Sequence, residues 1–270
     1  MVRLGNVSFL NARPLVWGLE AYADRFSVRF DVPSRCASLL HAGDIDVGLI
    51  PSIEFLAGEY AIVPGVGVVS EGDVRSVALF TTRPIEAVRS IALDTNSRTS
   101  VALTRVLCAR HFGIDPAYVH AAPDLDRMLT QAEAALVIGD PALFVDADAR
   151  GLNKIDLGSA WTAMTGLPFV YAFWAGRPGA VTGDDVLLLQ AARDEGIRES
   201  LAIARQFFPD DPDKQEIAER YLRTNIRHDV GTREQDALAL FFELAVSVGA
   251  VPASRPLRWF DASLRALSSR

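Results

Sequence analysis

Short apolar runs and helix-forming segments take turns along the first half of the chain, and that alternation restricts it to an α/β architecture. Strand-like residues 2–9, 27–32 and 45–50 are separated by helix-like residues 14–23 and 34–42. Runs of this length, too short for buried helices and regularly interrupted by helical stretches, assemble into sheets whose strands are connected through helices. Pro33-Ser34 gives the second helix its start and Gly43-Asp44 its stop. The stretch from Pro51 to Gly72 reads as loop-rich. Its Gly65-Val66-Gly67 lacks the third glycine and the strand-to-helix setting of a dinucleotide site.

A strand over 76–82 leads to a second block, in which strands at 90–94, 117–121 and 134–138 alternate with helices at 99–112, 124–131 and 140–147 before a strand at 169–175. Arg83-Pro84 and Gly176-Arg177-Pro178-Gly179 read as the hinges around this block. They divide the chain into a discontinuous lobe I (1–83 and 176–270) and a lobe II (84–175), with two crossovers. The C-terminal part is helical, over 184–194, 197–208, 213–223 and 232–248. In the last of these helices Thr232 and Gln235 have capping-box spacing, and Ala237, Leu238, Leu240, Phe241, Leu244, Ala245 and Val248 recur as a core-facing stripe.

Composition removes several classes of function. Half of the 270 residues are hydrophobic, enough for a sizeable core. No run approaches the roughly 18 apolar residues of a membrane helix, and the N-terminus enters a strand without a basic leader, which points to a cytoplasmic protein with no membrane partner. Cys36 and Cys108 lie in helix-like segments and read as free thiols. A net charge of -7 with no dense basic run argues against nucleic acid. His41, His111, His120 and His228 are scattered, and the chain has no HExxH pair, Cys/His set or nucleophile elbow. The expected site holds no metal and no cofactor. Lys154 and Lys214 are the only lysines among 27 basic residues, which disfavours a buried catalytic lysine.

The first corner, Gly5-Asn6-Val7-Ser8-Phe9-Leu10-Asn11-Ala12-Arg13-Pro14-Leu15, places Asn11 at the C-terminal end of a strand, ahead of a helix begun by Pro14. In open α/β sheets ligands bind at that end. Polar residues recur at three more handovers of this kind: Ser52, the stretch Ser97-Arg98-Thr99-Ser100, and Gly139-Asp140. Helix N-termini carry unpaired N–H groups and partial positive charge, which suits a small carboxylate even in an acidic protein. Three hydroxyls at Ser97, Thr99 and Ser100 exceed what one cap requires. Arg98 is either a solvated side chain or a carboxylate clamp. Asp140 either caps its helix or accepts a substrate hydroxyl. Ser76 is either satisfied by backbone or part of the site, and Trp161, Phe169 and Tyr171 are either core or a wall against a six-membered ring.

The spelling Gly-x-Val-x-Phe-Leu-Asn-x-x-Pro-Leu over residues 5–15, with Asp46–Ser52, Ser97–Ser100 and Thr165-Gly166-Leu167-Pro168-Phe169-Val170-Tyr171, resembles the chorismate dehydratases of the futalosine route to menaquinone. The resemblance spans residues 5 to about 177. The whole arrangement resembles the type II periplasmic-binding-protein-like fold, two α/β lobes with a cleft between them. The implied activity is a lyase removing water from chorismate without a cofactor. Asn11 and Ser76 are its expected catalytic residues, with Ser52, Ser97, Arg98, Thr99, Ser100, Gly139, Asp140, Thr165, Phe169 and Tyr171 around the substrate. Because the same fold carries solutes without chemistry, a non-catalytic small-anion binding or sensing protein is the alternative.

Overall fold

The most apolar segments become the centre of two five-stranded sheets. The computed structural model describes residues 1–262. In the first sheet β1 (Val2–Val7) lies between and parallel to β2 (Phe26–Asp31) and β3 (Val47–Pro51). The sheet continues through β10 (Phe169–Gly176), antiparallel both to β3 and to the edge strand β4 (Ala61–Ser70). Every residue of β3 and of β10 is buried, as expected of strands covered on both faces.

The second sheet has the order β7-β6-β8-β5-β9. Its strands β6 (Ser90–Asp94), β7 (Ala117–Ala121) and β8 (Ala134–Ile138) are parallel, whereas β5 (Val77–Thr81) runs antiparallel to β8 and to β9 (Asn153–Asp156). The chain therefore changes sheets between Ser70 and Val77 and returns between Asp156 and Phe169. Both crossings come earlier than the expected hinges at Arg83-Pro84 and Gly176–Gly179, so β5 belongs to the second sheet and β10 to the first. The reason lies in Asp156, whose carboxylate accepts the N–H groups of Val74 and Arg75 from the outgoing crossing, and those of Gly158 and Ser159 from the returning one. One half-buried carboxylate ties the two crossings together. The C-terminal stretch 263–270 of the expected lobe I lies outside the described residues.

Helices α1 (Pro33–Ala42), α2 (Arg98–Leu107), α3 (Leu125–Gln131) and α4 (Gly139–Leu143) follow strands, and α6 (Gly183–Arg198), α7 (Ser200–Phe207), α8 (Pro212–Thr224) and α9 (Thr232–Ser247) form the helical C-terminal part. The helix expected over 14–23 is instead two 3-10 turns, Leu10–Val16 and Leu19–Tyr22, separated by Gly18 at φ +74°. Strand β4 falls inside the stretch expected to be loop. Pro64-Gly65 interrupts its apolar pattern, and its pairing with β10 shifts register. Helix α5 (Leu157–Thr165) lies beyond the expected elements too, started by Asp156 and stopped by Gly166. At the start of α9 the cap is Gly231, whose N–H donates to Glu234 Oε2 at 2.9 Å, in place of the expected Thr232–Gln235 pair. Among the described residues, no helix is long and apolar enough to cross a membrane.

Candidate functional site

The corner after β1 is fixed from beneath. Asn6, fully buried, donates through Nδ2 to the carbonyl of Ala12 at 3.2 Å and so folds the 3-10 turn back over the end of its strand. Asn11 is thereby turned towards the second sheet, and its Nδ2 donates to the hydroxyl of Tyr221 in α8 at 3.1 Å. Tyr221 Oη is also 2.7 Å from Ser76 Oγ, just before β5. Having accepted from Asn11, the tyrosine has one proton to give, and Ser76 is the acceptor within reach. Burial holds the phenol well above its ordinary pKa, so it stays neutral. The two expected catalytic residues thus share a partner from the far end of the chain, while Asn11 Oδ1 has no partner among the described residues.

His228 holds the backbone of the same residue. Its Nε2 is 2.8 Å from the Asn11 carbonyl, which only accepts, so the proton sits on Nε2. Burial pushes this imidazole down to about 4, partly opposed by that hydrogen bond, and keeps it neutral.

Facing Asn11 is the N-terminus of α2. Ser97 caps the helix by accepting the Ser100 N–H at 3.2 Å, and its hydroxyl donates to Ser100 Oγ at 2.7 Å. Both serines are buried and both line a cleft whose walls come from both sheets. Phe9, Asn11 and Tyr171 contribute from the first, Ser97, Ser100 and Gly139 from the second. Gly139 has φ +69°, and a Cβ there would stand 2.7 Å from the Phe9 ring, so the ring closes onto bare backbone. Next to it, the Asp140 carboxylate accepts the Leu10 N–H at 3.1 and 3.3 Å. Burial raises Asp140 to about 6, against the pull of that hydrogen bond and of the Arg13 guanidinium.

The cleft encloses about 50 Å³, room for a few waters at ~10–15 Å³ each and too little for a substituted ring. The lobes are closed, and several of the expected substrate contacts are the clasps that close them. Thr99 Oγ1 accepts the Ile53 N–H at 3.2 Å, and Arg98 donates to Glu54 at 2.7 Å, each linking α2 to the 3-10 turn Ser52–Ala57 after β3. Ser52 donates to the Val170 carbonyl at 2.8 Å. Of the expected site residues, Ser52, Ser76, Arg98, Thr99, Asp140, Thr165 and Phe169 stand outside the cleft lining, and the last two serve the fold alone. Thr165 donates to the Trp161 carbonyl at 2.9 Å and accepts the Leu167 N–H at 3.1 Å, closing the end of α5. Phe169 is core, packed edge-to-face on Trp161, Tyr171 and Phe241 with centroids 5.1, 4.8 and 4.9 Å away. Tyr171 shares its hydroxyl with Ser70 Oγ at 3.0 Å.

Against known proteins, residues 2–247 match the model of a family described as menaquinone biosynthesis. The chain belongs to this family. It is 31% identical over 220 residues to the chorismate dehydratase of Thermus thermophilus, covering 68% of this chain and 78% of that one. The backbone is similar to the alkanesulfonate-binding protein SsuA of Xanthomonas axonopodis pv. citri, solved with MOPS, at TM-score 0.66, 18% identity, and 93% and 94% coverage of the two chains. It also resembles a Candida albicans protein described as having the generic periplasmic binding protein fold, at TM-score 0.56, 12% identity, and 97% and 98% coverage. At such identities the last two establish the fold alone: a two-lobed periplasmic-binding-protein-like architecture.

Proposed function

We propose that this chain is a cytoplasmic carbon–oxygen lyase that removes water from chorismate to give 3-[(1-carboxyvinyl)oxy]benzoate, without a cofactor, in the cleft between the two sheets. The observation that carries the reading is the convergence of Asn11 and Ser76 on Tyr221, opposite the capped N-terminus of α2. The menaquinone-biosynthesis family and the chorismate dehydratase relative support it.

The elimination removes the ring proton beside the enolpyruvyl ether, expels the neighbouring hydroxyl as water and leaves an aromatic ring. Aromatisation supplies the driving force, so the protein has to orient the substrate and stabilise the charge that spreads towards the ring carboxylate. The N–H groups at the start of α2, with Ser97 and Ser100, suit that carboxylate. Among the described residues, the cleft lining holds no histidine or lysine. The proton acceptor we assign is the substrate's own enolpyruvyl carboxylate, tethered beside the carbon that loses its proton, where effective molarity offsets weak basicity. One N–H of Asn11 is engaged by Tyr221, which leaves its second N–H to orient that carboxylate or the departing hydroxyl; the carboxyl that has taken the ring proton passes it to the hydroxyl, which leaves as water. Ser76, held by the tyrosine, supports this arrangement from the second lobe.

The test is direct. Purified protein incubated with chorismate, without added metal or nucleotide, should yield a product lighter by one water. No such product, beside a working positive control, overturns the reading.

A further inference from the structure

A second cavity, of about 540 Å³, opens on the outer flank of α2 and is far larger than the closed cleft. Its walls also come from both lobes. The turn after β3 contributes Leu56, α2 contributes Arg98, Val101 and Arg105, and Val251-Pro252 cover the end. Residues 98, 101 and 105 lie three and four apart, so one helical face presents a guanidinium, an apolar step and a second guanidinium over about 10 Å.

The polar groups in this cavity are unequally satisfied. Arg98 is neutralised by Glu54 at 2.7 Å, and Glu54 is shared with His41 Nε2 at 2.7 Å. Arg105 lies over the Tyr118 ring at 4.8 Å and has no carboxylate partner among the described residues. Asp94, 1% exposed, uses Oδ1 to accept the Asn96 N–H at 2.8 Å, while its buried Oδ2 has no hydrogen-bond partner among the described residues. A buried carboxylate oxygen without a donor is costly to maintain, and Asp94 belongs to the wall of this cavity.

We propose that this cavity is a second ligand site, distinct from the catalytic cleft, for a small cyclic carboxylate carrying a hydroxyl. The carboxylate pairs with Arg105, the ring lies on Leu56, Val101 and Val251, and the hydroxyl donates to Asp94. Arginine suits the first contact because its planar fork matches a carboxylate, and stacking on Tyr118 already orders it. Ser97 lines both this cavity and the cleft, so the two ligands would share one wall.

Calorimetric titration of the full-length protein with 4-hydroxybenzoate, and with benzoate as the analogue lacking the donor, tests the assignment. Saturable binding is expected, tenfold or more weaker in Arg105→Gln. The preference for 4-hydroxybenzoate over benzoate should shrink at least fivefold in Asp94→Asn. Val101→Trp, which fills the cavity without touching a charge, should abolish binding. Asn11→Ala, in the catalytic cleft, should leave it unchanged. Thermal melts establish that each variant is folded. Absence of saturable binding to the native protein overturns the proposal, and so does binding that survives Val101→Trp or is lost in Asn11→Ala. Because these readouts are independent of turnover, failure here leaves the dehydratase assignment standing.

Discussion

The Asp140 carboxylate grips the backbone N–H of Leu10 at 3.1 and 3.3 Å, and the two residues follow strands of opposite sheets, beside the cleft. The contact is local to the closed arrangement, since opening the cleft returns both groups to water. It also gives the cleft a pH dependence whose sign can be worked out.

Burial raises Asp140 to about 6, above its ordinary value, so the closed form binds a proton more tightly than an open, hydrated one. Closure takes up that proton between the two values. It is most favoured at low pH and weakens as pH rises through about 6. A dianionic ligand works in the same direction, because neutral Asp140 does not repel it. Affinity for isophthalate should therefore rise as pH falls from 7.5 to 5.5, by roughly tenfold per unit at most. Asp140→Asn should flatten the dependence and bind more tightly than the native protein at pH 7.5. A native profile as flat as the variant's would detach Asp140 from closure.

Tyr221→Phe removes one oxygen and breaks two contacts, to Asn11 and to Ser76. Leaving buried polar atoms without a partner costs on the order of 1–3 kcal/mol, some of it relieved because Asn11 faces the cleft. The larger effect should be on chemistry: turnover falling by about tenfold or more with little change in KM, since the phenol positions Asn11 without itself lining the cleft. Normal turnover in a folded Tyr221→Phe protein would show that Asn11 holds its orientation unaided.

The residues differ in how much of this the sequence betrays. The alternation of strands and helices reads directly, because buried parallel strands are continuous apolar runs and the helices have conventional stops such as Gly43 and Gly113. Strand β4 does not, because Pro64-Gly65 breaks the run that would mark it. Asn11, Ser97 and Ser100 read as candidates because polar residues at the ends of buried strands are set beside a ligand-binding edge. Ser52, Thr99 and Arg98 read identically, yet here Thr99 and Arg98 clasp the lobes and Ser52 is tied to Val170 of its own sheet, a distinction that depends on what lies opposite. Tyr221 is invisible for a stronger reason. Its partner is 210 residues away, and on its own helix it sits among the core positions Ala218 and Leu222.

Ser97 and Ser100 line the cleft while Thr99 turns to the Ile53 N–H, so their substitutions should separate. Ser100→Ala should weaken isophthalate binding several-fold with a small change in melting temperature. Ser97→Ala should do both, since it also loses a cap worth about 0.5–2 kcal/mol. Thr99→Val should weaken closure, seen by small-angle scattering as a larger radius for the ligand-bound protein. Equal affinity in both serine variants would move the carboxylate pocket elsewhere.

Gly139→Ala probes the close approach of Phe9. The left-handed backbone alone costs an alanine about 1–2 kcal/mol, and its Cβ would collide with the ring at 2.7 Å. The variant should melt earlier and bind isophthalate more weakly. Phe9→Ala in the same protein should recover part of the affinity, because only the steric component is relieved. Recovery of the whole loss would assign it to the collision, leaving nothing for the backbone.

The proposed chemistry turns on Asn11, and two substitutions separate the roles assigned to it. Its carbonyl is held by His228 and its Nδ2 by Tyr221, so the backbone corner survives loss of the side-chain amide. Asn11→Ala should accordingly leave thermal stability within about 1 kcal/mol while lowering turnover by two orders of magnitude or more, roughly the contribution of a positioned group in proton transfer. Asn11→Asp keeps the size and one acceptor oxygen but sets a negative charge beside the enolpyruvyl carboxylate. It should be as poor as the alanine variant near neutral pH, and should regain turnover as pH is lowered and the new carboxyl is protonated. A residue that only shaped the corner would show neither the loss in the first variant nor the pH-dependent recovery in the second. Substrate chemistry supplies the companion measurement: a chorismate analogue whose enolpyruvyl carboxylate is replaced by an amide should bind yet lose no water. If that analogue is turned over at the normal rate, the base belongs to the protein.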